Sequence, residues 1–316
     1  MKSVDCCVLC SESILHRKRG IVSPFLSRRI WNRSAMPIDL VQCRSCGFLF
    51  FNPRIEADEE QRLYAGYRQE EYQQTRQSFE PWYTPKFNAS ISGSALMEVR
   101  RQKLAAILKT HLAGISGPAI LDFGGGRGQL IREIVPNSSG VIYDISGAQP
   151  VEGIGMFRTL DECRSREFDL VVCSNVMEHV GFPRTIMDQI TSIATPETLL
   201  FVEVPCESPF GVRLLVRRLI QYGIIALVRP AVALSVARPG LLYPMHEHIN
   251  YFTSDSLKTL MVKSGWSIVA SGAYALESAL GGRAIWCIGR LAQDGSGLST
   301  PAEVGQTSGD SKKLVF

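Results

Sequence analysis

Ile120-Leu121-Asp122-Phe123-Gly124-Gly125-Gly126-Arg127-Gly128-Gln129-Leu130 is the stretch whose reading decides the fold. Ala119, Ile120 and Leu121 form a short apolar run, as a central parallel strand covered on both faces requires. Gly124, Gly126 and Gly128 follow and allow positive φ and close approach of the backbone to a ligand. Residues 129–135 then show helical spacing, with Pro136 placed to stop them, so a helix is expected there. Strand, glycine turn and helix frame a nucleotide-sized pocket at the carboxyl end of a sheet.

The spacing of the turn narrows the ligand. The dinucleotide pattern G-x-G-x-x-G fails in both frames, because its third glycine falls on Gln129 or Ile131. A P-loop fails too, since no Gly-Lys-Ser/Thr follows. What stands here is Asp-x-Gly-x-Gly-x-Gly with Asp122 at the strand end. This resembles the first motif of class I S-adenosylmethionine-dependent methyltransferases. That cofactor has no pyrophosphate but carries a sulfonium cation and an amino-acid end, so a carboxylate beside the turn makes electrostatic sense. The resemblance implies S-adenosylmethionine held by Asp122, Gly124, Gly126 and Gly128.

Further stretches extend the pattern. Val141-Ile142-Tyr143-Asp144 reads as a second strand ending in an acid, placed to bind the ribose hydroxyls; capping a turn is its other use. Asp161 and Glu162 stand where a third strand would end, within reach of an adenine amine. Phe168 to Val180, F-D-L-V-V-C-S-N-V-M-E-H-V, resembles the fourth methyltransferase motif and brings Asn175, Glu178 and His179 near the site. Residues 184–194 read as a helix and Thr198 to Pro205 as a fifth strand. Ser267-Ile268-Val269-Ala270 and Ala284 to Gly289 read as an antiparallel finish.

Composition fits this class. A chain of 316 residues with 45% hydrophobic content can bury a large core plus a small module. A net charge of +4 without a Lys/Arg stripe argues against nucleic acid. The first residues lack the apolar core of a secretory signal, so a cytoplasmic location is expected. Nine cysteines in that setting point to reduced thiols or metal.

Four of them form two C-x-x-C pairs, Cys7/Cys10 and Cys43/Cys46, with 32 residues between. Two such knuckles make a tetrahedral set of four thiolates that suits structural zinc, with no open position for catalysis. Free cysteines are the other reading, and Cys6 stands close enough to replace Cys7. Gly47 to Arg54, G-F-L-F-F-N-P-R, completes a segment that resembles the head of bacterial methyltransferases with an amino-terminal zinc module, among whose relatives are sugar C-methyltransferases. Residues 1–58 are therefore expected as a zinc module and 59–115 as a helical connector, with an amphipathic helix over 59–72 and another over 95–112. The methyltransferase domain takes 116–290. Residues 291–316, rich in Gly, Ser and Thr, read as a disordered tail.

Within the domain, residues 209–243 form an apolar insert carrying Arg213, Arg217, Arg218, Arg229 and Arg238. Its polar interruptions exclude a spanning helix. A helical lid over the substrate and a basic amphipathic surface that touches a membrane or a lipid-linked sugar both fit. Directly after it, H-E-H-x-x-Y-F-T-x-x-S-L begins at His246 and resembles the substrate-side stretch of sugar C-methyltransferases. That resemblance implies roles for Glu247 and His248. A histidine base suits a pKa near neutrality, with His248 first and His179 second.

The expected fold is α/β: a doubly wound, mostly parallel, seven-stranded Rossmann-like methyltransferase sheet with a small four-cysteine zinc module. The expected activity is base-assisted methyl transfer to oxygen or carbon of a small molecule, by resemblance a saccharide or nucleotide-sugar. A non-catalytic scaffold that only binds the cofactor and an O-methyltransferase of a non-sugar hydroxyl are the competing classes.

Overall fold

The structure, a computed structural model, describes residues 1–91, 94–135, 137–210, 212–236, 243–276 and 282–292. The tail expected over 291–316 lies almost wholly outside the described residues, as does Pro136.

The amino-terminal part contains β1 (Ile14–Val22), α1 (Pro24–Trp31), β2 (Pro37–Cys43) and β3 (Leu49–Asn52). Ser23 caps α1 by accepting from the Leu26 amide at 3.3 Å, and Pro24 stands at a position where a missing N–H costs nothing. The connector holds α2 (Ala57–Tyr64), α3 (Glu70–Phe79), α4 (Pro85–Ile91) and α5 (Ser94–Leu108). The one helix expected over 59–72 is thus split, because Gly66 (φ 59°) and Arg68 (φ 59°) turn the chain between α2 and α3.

The main domain follows as β4 (Ala119–Phe123), β5 (Ser139–Tyr143), β6 (Ile154–Phe157), α6 (Leu160–Arg164), β7 (Leu170–Ser174), α7 (Pro183–Thr191) and β8 (Leu199–Pro205). Next come α8 (Val212–Val228), α9 (Pro230–Val236), β9 (Pro244–Met245), β10 (Asn250–Tyr251), α10 (Ser254–Lys263), β11 (Trp266–Leu276) and β12 (Gly282–Leu291). Thr253 caps α10 as its sequence suggests, its hydroxyl accepting from the Ser256 amide at 3.1 Å.

The helix expected over 129–135 does not form; residues 129–133 run as successive turns. Seven residues barely exceed the costly helix nucleus, and Glu133 adopts φ 54°, which breaks the ladder. Leu130, Ile131 and Ile134 are still buried, so the apolar spacing reports packing on the sheet rather than a helix.

The seven-stranded sheet has the order β11-β12-β8-β7-β4-β5-β6. Strands β4 to β8 are parallel, while β12 pairs antiparallel with β8 and with β11. This is the mostly parallel sheet read from the sequence. Alternate residues serve opposite faces, as the two-residue strand period demands. Leu121, Val171, Cys173, Leu200 and Val202 join one core. Ile120, Leu170, Val172, Leu199 and Phe201 join the other, with Leu104 and Leu108 of α5.

The second sheet was not foreseen. Its order is β10-β3-β2-β1-β9, so both its edges come from residues 244–251. β9 runs parallel to β1 and β10 antiparallel to β3. One face of this sheet, with Val41, Cys43 and Phe50, is continuous with a core of the main domain. The other, with Ile38, Leu40 and Phe51, packs under α1. The loop carrying His246, Glu247 and His248 is therefore strung between two strands of the amino-terminal sheet.

Candidate functional site

The order of the parallel strands reverses between β4 and β7: β5 and β6 continue one way, β8 the other. Ligands of open α/β sheets bind at such a switch point, outside the carboxyl ends of the strands. The glycine turn leaves β4 there, and Asn175, at φ 56°, leaves β7. The two turns touch. A Cβ on Gly124 would lie 2.5 Å from Val176 Cγ2, so no larger residue fits between them. Gly126, at φ 59°, has nothing within 4 Å of its Cβ position and faces open space.

Asp122 ends β4 almost fully buried, and its Oδ2 has no hydrogen-bond partner. Burial, reinforced by the Asp144 carboxylate, pushes its pKa up to about 7. Asp144 Oδ2 accepts from the Gly126 amide and Oδ1 from the Ser146 amide, both at 2.7 Å. Its carboxylate thus reaches the glycine turn from the end of the adjacent strand. Asp161 and Glu162 fall instead on α6 and are exposed. Asp161 pairs with Arg164, and Glu162 closes a capping box with Thr159.

Past β7 the chain brings Glu178 and His179 against His248 of the loop between β9 and β10. One donor atom of each lies within 4.8 Å of the other two. His179 Nδ1 donates to the Glu247 carbonyl at 2.9 Å and lies 3.0 Å from the Tyr64 hydroxyl, which leaves Nε2 with its lone pair. Burial, together with the charge of His248, pushes His179 down to about 3. His248 Nδ1 donates to Glu207 Oε2 at 2.8 Å. Burial works against a charge on His248, but the Glu207 carboxylate outweighs it and lifts the imidazole to about 9. Burial raises Glu178 to about 7, opposed in part by His248.

Glu247 is placed differently from what its neighbour in sequence suggests. Its Oε1 accepts from the Tyr72 hydroxyl and its Oε2 from Arg76 Nη1 at 2.7 Å. Arg76 also binds Glu80, which in turn meets His246 at 2.5 Å. Burial alone would raise Glu247, yet Arg76 and His246 hold it at about 2.

Several residues near the switch point escaped the sequence reading. Arg100 of α5 donates to Glu203 at 2.8 Å and to the Ser174 hydroxyl at 2.7 Å, and Tyr274 donates to the same carboxylate. A signal existed: Glu203 is the one charge inside the apolar strand L-L-F-V-E-V-P, and a buried charge demands a partner. Arg54 is likewise buried, donating to the carbonyls of Phe51, Val180 and Gly181 and to Asn250 Oδ1.

The four cysteines converge. Cys7 and Cys46 Sγ are 3.7 Å apart, Cys10 and Cys43 Sγ 3.5 Å. Cys6 is exposed and pairs its backbone with Ser13, outside the group. In the insert, α8 exposes Val216, Leu219, Ile220 and Leu227, the last at 87%. These positions recur at helical spacing and form one stripe. Among the described residues no helix is long and apolar enough to cross a membrane.

No curated protein matches the chain. Among solved structures it is similar to the 1,6-didemethyltoxoflavin N1-methyltransferase of Burkholderia thailandensis with bound 1,6-didemethyltoxoflavin and S-adenosylhomocysteine. Identity there is 14%, over 81% of this chain and 96% of that one, with a TM-score of 0.47. It is also similar to the magnesium protoporphyrin IX methyltransferase of Synechocystis PCC 6803, at 15% identity over 62% of this chain and 86% of that one, TM-score 0.40. Residues 96–271, more than half of the chain, match the family model described as a methyltransferase domain. With an Asp-x-Gly-x-Gly-x-Gly turn at the switch point of a seven-stranded, mostly parallel sheet, the chain belongs to that family and is an S-adenosylmethionine-dependent methyltransferase.

Proposed function

We propose that the chain methylates a small-molecule acceptor, a saccharide or nucleotide-sugar intermediate, at oxygen or carbon, with proton removal by a histidine. One observation carries this reading: the glycine turn after β4 and the Glu178-His179 turn after β7 meet at Gly124 and Val176. Cofactor side and acceptor side are thereby neighbours. Asp122, Gly124, Gly126, Gly128, Asp144 and Asn175 form the cofactor side. The sulfonium already activates the methyl group, so the protein's work is to align donor and acceptor. On the acceptor side the neutral His179, with Nε2 free of protein partners in the tautomer its Nδ1 bond selects, accepts a hydrogen bond from the acceptor; with its pKa at about 3 it is too weak a base to hold the proton at neutral pH. His248, paired with Glu207, carries positive charge at neutral pH and supplies a hydrogen-bond donor; it acts as base only once deprotonated. Glu247 acts through others, its carbonyl orienting His179.

The saccharide assignment rests on the likeness of the H-E-H stretch to sugar C-methyltransferases. Titration calorimetry with S-adenosylmethionine, followed by mass-spectrometric turnover assays on nucleotide-sugars and other hydroxylated small molecules, tests the reading. Cofactor binding with methyl transfer to a nucleotide-sugar is the expected result; transfer only to non-sugar acceptors removes the saccharide assignment.

In the same reading Cys7, Cys10, Cys43 and Cys46 hold a structural zinc. Zinc–sulfur bonds of about 2.3 Å put tetrahedral sulfurs about 3.8 Å apart, close to the two Sγ distances found. The insert 209–243 rests on an anionic membrane surface carrying a lipid-linked sugar. Support comes from the apolar stripe of α8 and from a segment with five arginines and no acidic residue.

A further inference from the structure

Glu178 is buried to 1% exposure with neither carboxylate oxygen hydrogen-bonded. A carboxylate in that state is costly unless a cation answers it. His179 stands beside it, Nε2 at 3.7 Å from Oε1, too far for a hydrogen bond. His248 completes the cluster. Each imidazole is already oriented through its other nitrogen: His179 Nδ1 on the Glu247 carbonyl, His248 Nδ1 on the Glu207 carboxylate. Carbonyl and carboxylate partners on the distal nitrogen are how proteins aim histidines at a metal.

We propose that Glu178, His179 and His248 bind a divalent first-row transition ion, in a site distinct from the four cysteines. Two imidazoles and one carboxylate suit zinc, cobalt(II) or iron(II) rather than calcium or magnesium, which prefer all-oxygen sets. Three protein ligands leave coordination positions open, and the His248 side chain is 34% exposed. Bonds of about 2.1 Å put tetrahedral donors about 3.4 Å apart, so the three donor atoms, which lie within 4.8 Å of one another, need only small side-chain shifts to close on an ion. An acceptor hydroxyl in an open position would be acidified by the ion. That consequence rests on the acceptor-side reading above, with the hydroxyl's proton passing to solvent water because both imidazoles are then ligands; ion binding itself does not depend on it.

The test uses the full chain with its cysteine site loaded with zinc, titrated with cobalt(II) in the absence of cofactor. Visible d–d absorption without thiolate charge-transfer bands, saturating at one added equivalent, is the expected result. Glu178→Gln abolishes it, and Glu207→Gln, which loosens only the orientation of His248, weakens cobalt affinity by about 10–100-fold. S-adenosylmethionine affinity is measured on the same samples. If it is retained in the variants, the fold is intact and the cobalt loss is local; if Glu178→Gln loses it, the half-exposed Glu207→Gln carries the test. Equal cobalt binding by wild type and Glu207→Gln overturns the proposal, as does the lack of any ion beyond the cysteine site. Failure of the wild type to bind S-adenosylmethionine would instead strike the cofactor reading and leave the cobalt result readable.

Discussion

Replacing Arg54 by methionine should separate two parts of the molecule that its guanidinium ties together. Arg54 is 1% exposed and donates to Gly181 O at 2.7 Å, Phe51 O at 2.8 Å, Val180 O at 3.1 Å and Asn250 Oδ1 at 2.5 Å. It thus joins the amino-terminal sheet to the turn that carries His179 and to β10. Methionine keeps most of the volume but leaves those acceptors buried and unmet. Each hydrogen bond to a charged donor is worth about 1.5–3 kcal/mol, not additively, while the cost of burying the guanidinium is relieved. A net loss of about 3–5 kcal/mol follows. For a chain of 316 residues, at about 2.1 cal/mol/K per residue, that corresponds to a fall in Tm of roughly 5–8 °C. Scanning calorimetry of wild type and variant measures it. Arg54→Lys, which keeps the charge but cannot span all four acceptors, should fall between. Turnover measured below both transitions should also drop, because Val180 and Asn250 flank the two histidines. A methionine variant melting within about 2 °C of wild type would refute the reasoning, since that is about 1.3 kcal/mol at most.

Asp122 sets a pH dependence. Its native pKa of about 7 lies above the ordinary 3.8, so its contribution to stability is fully present below 3.8 and declines as pH rises toward 7. The decline amounts to roughly 4 kcal/mol at about 1.4 kcal/mol per pK unit. Asp122→Asn should flatten it, raising stability at pH 8 while weakening S-adenosylmethionine binding; denaturant titrations from pH 4 to 8 that run parallel for both proteins would contradict this. Removing the metal with a strong chelator, or Cys43→Ser, should lower Tm and release one zinc per chain by elemental analysis; an unchanged Tm with no zinc found excludes the structural ion. Leu219→Glu combined with Leu227→Glu should abolish co-flotation with anionic vesicles without changing S-adenosylmethionine affinity; wild type that fails to float removes the membrane contact.

Much of this molecule is legible along the chain, because the relevant patterns are local. The apolar run ending at Asp122 and the three spaced glycines mark a strand end and its turn through their own backbone requirements. The same holds for the Thr253 cap of α10, whose hydroxyl and its recipient amide are three residues apart, and for the closing pair β11 and β12. Where local spacing misled, at residues 129–135, a helical rhythm described burial on a sheet without a helix behind it. What stayed hidden depends on partners far apart in sequence. Glu247 meets Arg76, Glu203 meets Arg100, and the amino-terminal sheet borrows both edge strands from residues 244–251. No periodicity records such pairings. They arise when the cores bury their apolar faces together, and that packing brings His248 to Glu178 and His179.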